Sequence, residues 1–303
     1  MNNELYVDHL VIGLSISGIA AAIELASQGR SVCIVEHWPD TASLTGSALI
    51  FSTPLNQGKL VGEEFEEIAL RLLYQSNVIV SRGLLSPLCL KGNKNETFFY
   101  FFDEITQKSV FATSTIFAPN GTEIGLPDKL VAKSFFGKGV SYDAWSDGRF
   151  YINKPVVIIG CGNRAIEQAY WAAKWASSVY LVCENDTLKV SSSWMEIVAE
   201  STTLKMGVGI RFNSITSDEN GHVKGIILSG EGKKDSEKTT SAVFVARELV
   251  CDWSIWGGEQ KAKSYLEKRM LYVCGLATGI DYSRHAELFQ DGLHAAKKCL
   301  QLA

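Results

Sequence analysis

The sequence predicts an α/β protein with two dinucleotide-binding βαβ units, and three observations carry that prediction. The first is Val156-Val157-Ile158-Ile159, an apolar β-branched run followed at once by Gly160-Cys161-Gly162-Asn163-Arg164-Ala165. The second is a similar arrangement near the N-terminus, where Tyr6 to Ile12 leads into Gly13-Leu14-Ser15-Ile16-Ser17-Gly18. The third is that an alanine-rich helix and a second strand follow each turn. They are Ile19 to Gln28 and Ser31 to Val35 in the earlier unit, and Ile166 to Ala176 and Val179 to Val182 in the later one. Short β-branched runs suit buried parallel strands. The glycines let the backbone approach a pyrophosphate, and the helix N-terminus turns its N–H groups toward it. A G-x-G-x-x-A turn alone also fits an unrelated tight turn; inside a strand–turn–helix–strand frame the dinucleotide reading is preferred.

The candidate contacts in the earlier unit are Gly13, Ser15, Gly18 and Glu36. Glu36 closes the second strand about twenty residues beyond the turn, where a carboxylate can accept both ribose hydroxyls of an adenosine. Ser15 stands at the middle-glycine position, so its side chain is expected to crowd the pyrophosphate and weaken binding without excluding it. In the later unit the candidates from the turn itself are Gly160 and Gly162.

Composition sets the bounds. A chain of 303 residues with 46% hydrophobic and 20% charged residues has the make-up of a globular protein with room for two domains. The net charge of -4 gives no electrostatic reason to expect nucleic acid or an anionic membrane as partner. No apolar run approaches the roughly 18 residues of a membrane helix. The start, Met1-Asn2-Asn3-Glu4-Leu5, lacks a basic and then apolar leader, so the expected location is cytoplasmic. The seven cysteines include no C-x-x-C pair. Most are expected to be structural, Cys33 and Cys274 above all, because free cysteine in an apolar strand behaves as a small hydrophobe. Five dispersed histidines give no metal site.

The remaining elements follow in chain order. From His37 to Asn56 no period is evident. Leu60 to Tyr74 predicts an amphipathic helix, with Phe65, Ile68, Ala69, Leu72 and Leu73 at helical spacing. Val78 to Ser81 predicts a strand, Thr97 to Phe102 and Ser109 to Thr113 a hairpin, and Thr115 to Ala118 a separate strand. Beyond the later βαβ unit, Ser193 to Ser201 predicts a helix. Gly209 to Ser217 and Val223 to Ser229 predict a hairpin, because Asn220-Gly221 between them is a strong turn signal. Gly230 to Thr240 predicts a charged, solvated tip, Ala242 to Ala246 and Met270 to Gly275 two strands, and Ser283 to Leu302 a closing helix.

Before the later unit stand Gly137-Lys138-Gly139-Val140-Ser141-Tyr142, four variable positions, and then Asp147-Gly148-Arg149-Phe150. This frame resembles the low-molecular-weight thioredoxin reductases, and the resemblance runs over the whole chain. It implies an α/β fold of two Rossmann-like, three-layer ββα dinucleotide-binding domains, the second inserted into the first. The expected division is 1–120 with 248–303 for an FAD-binding domain and 121–247 for an inserted NAD(P)-binding-like domain. FAD as cofactor and a homodimer are implied as well.

The resemblance is strong for scaffold and weak for site. The family has Cys-x-x-Cys at the four variable positions, a dithiol that passes electrons from flavin to thioredoxin. Here they are Asp143-Ala144-Trp145-Ser146, which leaves no thiolate to exchange with a disulfide. Asp147 matches the family's proton donor, and capping the turn before Gly148 is its expected role. Trp145 fits either an isoalloxazine face or the vacated dithiol space. Ser52, beside Pro54, replaces an asparagine, and Ser283-Arg284 after Tyr282 replaces Arg-Gln. Gly275-Leu276 replaces a Gly-Asp pair whose aspartate bonds the flavin chain, which makes Gly275 a further cofactor candidate. The family's paired arginines are Glu184-Asn185 here. A carboxylate at Glu184 repels a 2′-phosphate but can hold free ribose hydroxyls, so NADPH is disfavoured and NADH is the competing expectation beside no nucleotide at all. Arg247 to Cys251 does not match the family's closing stretch.

Two readings follow. One is an FAD-binding oxidoreductase that no longer performs dithiol exchange and passes electrons between a redox protein or NADH and a small molecule. The other is a non-catalytic nucleotide-binding or scaffold protein derived from that fold. A third possibility is a different nucleotide or an additional flavin in the inserted domain.

Overall fold

The computed structural model describes residues 4–37, 62–83, 85–86, 89–93, 96–124, 133–190, 192–230, 234–280 and 285–301. The chain divides into a discontinuous unit, Met1–Thr122 with Leu249–Ala303, and an inserted unit, Glu123–Glu248.

The discontinuous unit begins with β1 (Glu4–Ile12), α1 (Ile16–Ser27) and β2 (Val32–His37). β1 and β2 pair in parallel from His9↔Val32 to Ile12↔Val35. α1 starts at Ile16 rather than Ile19, because Ser15 caps it: its hydroxyl accepts the Gly18 N–H at 3.1 Å. α2 (Gly62–Gln75), β3 (Ile79–Gly83), β4 (Cys89–Asn93), β5 (Glu96–Asp103) and β6 (Lys108–Phe117) follow, giving the order β3-β2-β1-β6-β5-β4.

β6 corrects one expectation. Ser109–Thr113 and Thr115–Phe117 are not two strands but parts of one, since β1 pairs along it from Glu4↔Ser109 to Ile12↔Phe117. Its other edge is shared. β5 lies antiparallel from Phe99↔Ala112 to Asp103↔Lys108, and a strand from the C-terminal segment takes over from Thr115. The change of partner within one strand is what reads as a break in the sequence.

The chain leaves through β7 (Thr122–Ile124) into the inserted unit. This holds β8 (Val140–Ser141), α3 (Ala144–Asp147), β9 (Pro155–Ile159), α4 (Asn163–Ala172), β10 (Ser178–Cys183), α5 (Ser192–Ala199) and β11 (Leu204–Val208). β12 (Ile210–Ser217), β13 (Val223–Gly230), β14 (Ser236–Thr239) and β15 (Ala242–Val245) complete it. The five-stranded sheet β11-β10-β9-β15-β8 is parallel throughout. A second, antiparallel sheet β12-β13-β14 packs on it, with Phe212, Val223, Ile226 and Leu228 against Val157, Ile159, Val182, Val243 and Val245. Val156 and Ile158, of opposite parity, are also buried. Burial on both faces is why β9 is an unbroken apolar run. The expected charged tip is partly a strand: the side chains of Ser236–Thr239 are exposed, but their backbone extends the sheet along β13.

The return segment supplies β16 (Glu248–Val250), α6 (Glu259–Glu267), β17 (Leu271–Val273) and α7 (His285–Leu300). β17 is the strand that takes the second half of β6, Leu271↔Thr115 to Val273↔Phe117. α6 is not foreseen from the sequence; its Tyr265 joins a core in which Trp256 meets Phe99, Phe101 and Phe117 edge-on. α7 lies against α1 so closely that a Cβ at Gly292 would strike the Ser17 carbonyl. Among the described residues no helix is long and apolar enough to cross a membrane.

Beneath α7, His9 Nδ1 lies 2.8 Å from Ser114 Oγ and 3.4 Å from Cys299 Sγ, in a buried polar knot. Burial holds this imidazole below its ordinary pKa, with Asp8 opposing the effect. A depressed histidine binds its proton first in the unfolded chain, so its stability contribution is full above about pH 6.5 and falls as pH drops below that. The urea midpoint is expected to decline between about pH 7 and about pH 5. His9→Gln should flatten that decline; an unchanged pH slope in the variant would refute the assignment.

Candidate functional site

The structure presents two glycine turns, one in each unit. In the discontinuous unit Gly13 has φ +111°, and a Cβ there would collide with the Ala118 backbone. Gly18 is as tightly held, against the Gly13 carbonyl. Gly13 N–H donates to the Val35 carbonyl at 2.9 Å, which ties the turn to the end of β2, where Glu36 follows. The Ser15 hydroxyl donates to the Ala118 carbonyl at 2.7 Å, accepts the Gly18 N–H and lies 3.0 Å from Ser17 Oγ. This side chain is buried, and its hydrogen bonds draw it toward the end of β6.

Gly275, at φ +66°, approaches the same turn from β17, since a Cβ there would meet Ser17 Oγ. Its N–H donates to Asp291 Oδ2 at 2.8 Å, and Thr278 Oγ1 donates to the same oxygen at 2.8 Å. Gly13, Ser15, Gly18 and Gly275 are thus brought together, with Glu36 at the neighbouring strand end. Leu276 turns toward Gly121, whose missing Cβ leaves room for its side chain. Glu36 is already engaged: Arg82 Nε donates to its Oε2 at 2.6 Å. Arg82 and Asp291 were not identified from the sequence. The β2–β3 register, Glu36↔Arg82, is the signal that would have found the first. Ser52, Pro54, Tyr282, Ser283 and Arg284 lie outside the described residues.

In the inserted unit a Cβ at Gly160 would meet the Ala165 and Ala246 side chains, so this glycine sets the close approach of α4 to the strands. Gly162 is the N-cap of α4 and supplies no side-chain cap. Glu184, directly after β10, is held by Arg211 Nε at 2.8 Å, with both side chains exposed. Arg211 comes from β12, an element whose proximity to Glu184 no motif announces. Gly160, Gly162 and Glu184 are together at the ends of β9 and β10.

Two cysteines depart from expectation. Cys161, between the two glycines, is disulfide-bonded to Cys183, the last residue of β10, with Cα atoms 4.8 Å apart. The register Ile159↔Val182 explains the pairing, because Cys183 closes β10 beside the end of β9 and Cys161 lies two residues beyond that end. Lys189 N–H donates to the Cys161 carbonyl at 2.8 Å, so the loop after β10 is fastened to the glycine turn by backbone and by sulfur. Cys33 and Cys274 are free and buried, and Cys299 is buried beside His9 and Ser114; burial pushes the Cys33 and Cys274 thiols up to about 12.

Asp143 caps α3, its Oδ1 accepting from Trp145 N at 2.9 Å and Ser146 N at 3.4 Å. Ser146 Oγ lies 3.0 Å from Asp143 Oδ2 and 3.3 Å from Asp147 Oδ1. Asp147 makes no side-chain cap, contrary to expectation: its backbone is helical (φ −96°, ψ −16°) rather than extended as a capping residue's is. Trp145 packs edge-on against Trp171 of α4 with ring centroids 4.1 Å apart. Arg247 lies over the Tyr142 ring.

The pattern of residues 7–247 matches the family model described as pyridine nucleotide-disulphide oxidoreductase. A thioredoxin reductase of Ureaplasma parvum is 29% identical over 224 residues, 73% of this chain and 68% of the relative. The glucosaminate ammonia-lyase of Pseudomonas fluorescens is 27% identical over 255 residues, 82% of this chain and 71% of its own. Among solved structures, thioredoxin reductase of Lactococcus lactis superposes with a TM-score of 0.72 at 17% identity, covering 97% of this chain and 98% of that one. At that identity the likeness speaks for the fold: two Rossmann domains, one inserted in the other.

The Cys161–Cys183 bond closes a loop of sequence separation 22. In the chain-entropy treatment such a closure stabilises by about 3 kcal/mol. Urea unfolding with and without reductant should differ by about that amount in the inserted unit; coincident curves would show that the bond adds nothing.

Proposed function

The chain belongs to the pyridine nucleotide-disulphide oxidoreductase family, and we propose that it is an FAD-binding oxidoreductase of thioredoxin-reductase type that has given up dithiol exchange at the family position. The observation that carries the FAD reading is the turn in the discontinuous unit. Ser15, the residue that departs from the motif, is bonded to Ala118 and Gly18, and the glycine geometry around it is kept. Gly13, Ser15, Gly18 and Gly275 would hold the pyrophosphate side of the cofactor and Glu36 the ribose side. FAD, when bound, would supply hydride and electron-transfer chemistry at this turn.

Asp143 and Ser146, hydrogen-bonded to each other, support the loss of dithiol chemistry, since neither is a sulfur nucleophile. For the inserted unit we propose NADH over NADPH. Glu184 is a carboxylate oriented by Arg211, suited to ribose hydroxyls and poorly suited to a 2′-phosphate. Electrons would enter from NADH or a redox protein and leave to a small molecule, in a homodimeric protein. Family membership alone does not fix the reaction, since one relative is named as an ammonia-lyase.

A specific observation favours the non-catalytic reading. Glu36 is paired with Arg82, and Leu276 offers no group for a flavin chain. The visible spectrum of the purified protein decides between the two. A flavin band bleached by NADH without oxygen is expected, with Glu184→Gln weakening NADH by about tenfold, the worth of one charge-assisted hydrogen bond. A protein that stays colourless after added FAD would overturn the oxidoreductase reading and leave the scaffold.

A further inference from the structure

We propose that Cys161 and Cys183 form a thiol-exchange site, a redox-active pair whose substrates are small thiols and their disulfides. Cys161 is the attacked sulfur and Cys183 the resolving one. The pair lies at the glycine turn of the inserted unit, and the proposal is independent of whether flavin binds.

Four observations converge on it. Cys161 is half-buried and Cys183 fully buried, so Cys161 is the more accessible residue of the pair. Residues 184–187, directly after Cys183, are exposed, so solvent reaches the loop that borders the bond. Cys161 stands at the N-terminus of α4, a ten-residue helix whose N-cap Gly162 brings no side-chain acceptor. The positive end of a helix stabilises a thiolate there. Finally, Cys183 Sγ lies 3.4 Å from the Asn185 carbonyl oxygen and 3.8 Å from that of Thr187. The thiol released on reduction finds its acceptors in place. A bridge with a purely structural role requires neither the asymmetric access nor the waiting acceptors.

The exchange balances in two steps. A small thiolate attacks Cys161 Sγ, forming a mixed disulfide and releasing Cys183 as a thiolate, which takes a proton from water and donates it toward the Asn185 carbonyl. A second thiolate attacks the outer sulfur of the mixed disulfide, releasing the Cys161 thiolate and a small-molecule disulfide. Two thiols are oxidised and one protein disulfide is reduced. The reverse reaction uses the small disulfide as oxidant. In a reducing compartment a persistent disulfide is uncommon, and those that form are mostly catalytic or redox-sensing.

The test is a titration of the folded protein with glutathione against its disulfide, quenched in acid, alkylated and mapped by peptide mass. Cys161 and Cys183 are expected to gain and lose label together as the ratio is changed, while Cys33, Cys274 and Cys299 stay unlabelled until denaturant is added. Cys183→Ser treated with glutathione disulfide should carry one mixed disulfide, at Cys161, and Cys161→Ser should lose that adduct. A wild-type bond that opens only in denaturant would overturn the proposal in favour of a structural bridge. Two thiols that never pair in excess disulfide would overturn it as well. The wild-type titration needs no variant, so a misfolded substitution leaves the test intact.

Discussion

The discontinuous unit depends on one close approach, the backbone of Gly13 against the carbonyl of Ala118. No residue with a Cβ can stand there, and the consequence spreads outward. With the turn drawn down on the end of β6, Ser15 reaches Ala118 with its hydroxyl and caps α1 at the same time. α1 is then low enough over the sheet for α7 to rest on it, which in turn requires glycine at 292. The Ser17 neighbourhood, the end of β17 and Asp291 follow from that seating. Sterics at one backbone atom pair thus set the position of two helices and of the turn that faces a dinucleotide.

The two turns solve one problem by different chemistry. The first is closed by a serine hydroxyl buried under the helix start. The second lacks a side-chain cap and is instead fastened to the following loop by Lys189 and a sulfur bridge. The acids at the strand ends are treated alike. Glu36 is met by Arg82 and Glu184 by Arg211, each arginine from another strand of its own unit and each pair exposed. Exposed pairs of this kind contribute about 0–1 kcal/mol to stability. Their effect is to orient a carboxylate and to mute its charge, which matters more to ligand choice than to folding.

What was legible in the sequence is what local pattern encodes. The β-branched runs, the glycine turns and the Asn220-Gly221 hairpin all read correctly, because each is fixed by residues adjacent in the chain. Ser15 could be seen as a departure from the motif, yet the direction of its side chain depends on Ala118, a hundred residues away. β6 read as two strands because its far edge changes partner between Ala112 and Thr115, a tertiary event with no local mark. α6 is short and otherwise charged or polar, so Ala262, Tyr265 and Leu266, which it lays against the core, give only one turn of apolar period. The Cys161–Cys183 pair was visible in principle. Placing β9 beside β10 in register would have set the two cysteines at adjoining strand ends, where hydrophobic character alone had made them look inert.

The shared edge of β6 also bears on how the protein is made. The last strand of the inserted unit ends at Val245, whereas β17, which completes the sheet along β6, begins only at Leu271. A nascent chain therefore has the inserted unit whole while the other still lacks a strand and its covering helix α7. Domains fold as units during synthesis, the earlier-completed ones first. Here order of completion runs against order of appearance: the half that starts the chain waits, with one flank of β6 unpaired, for the half that interrupts it to finish.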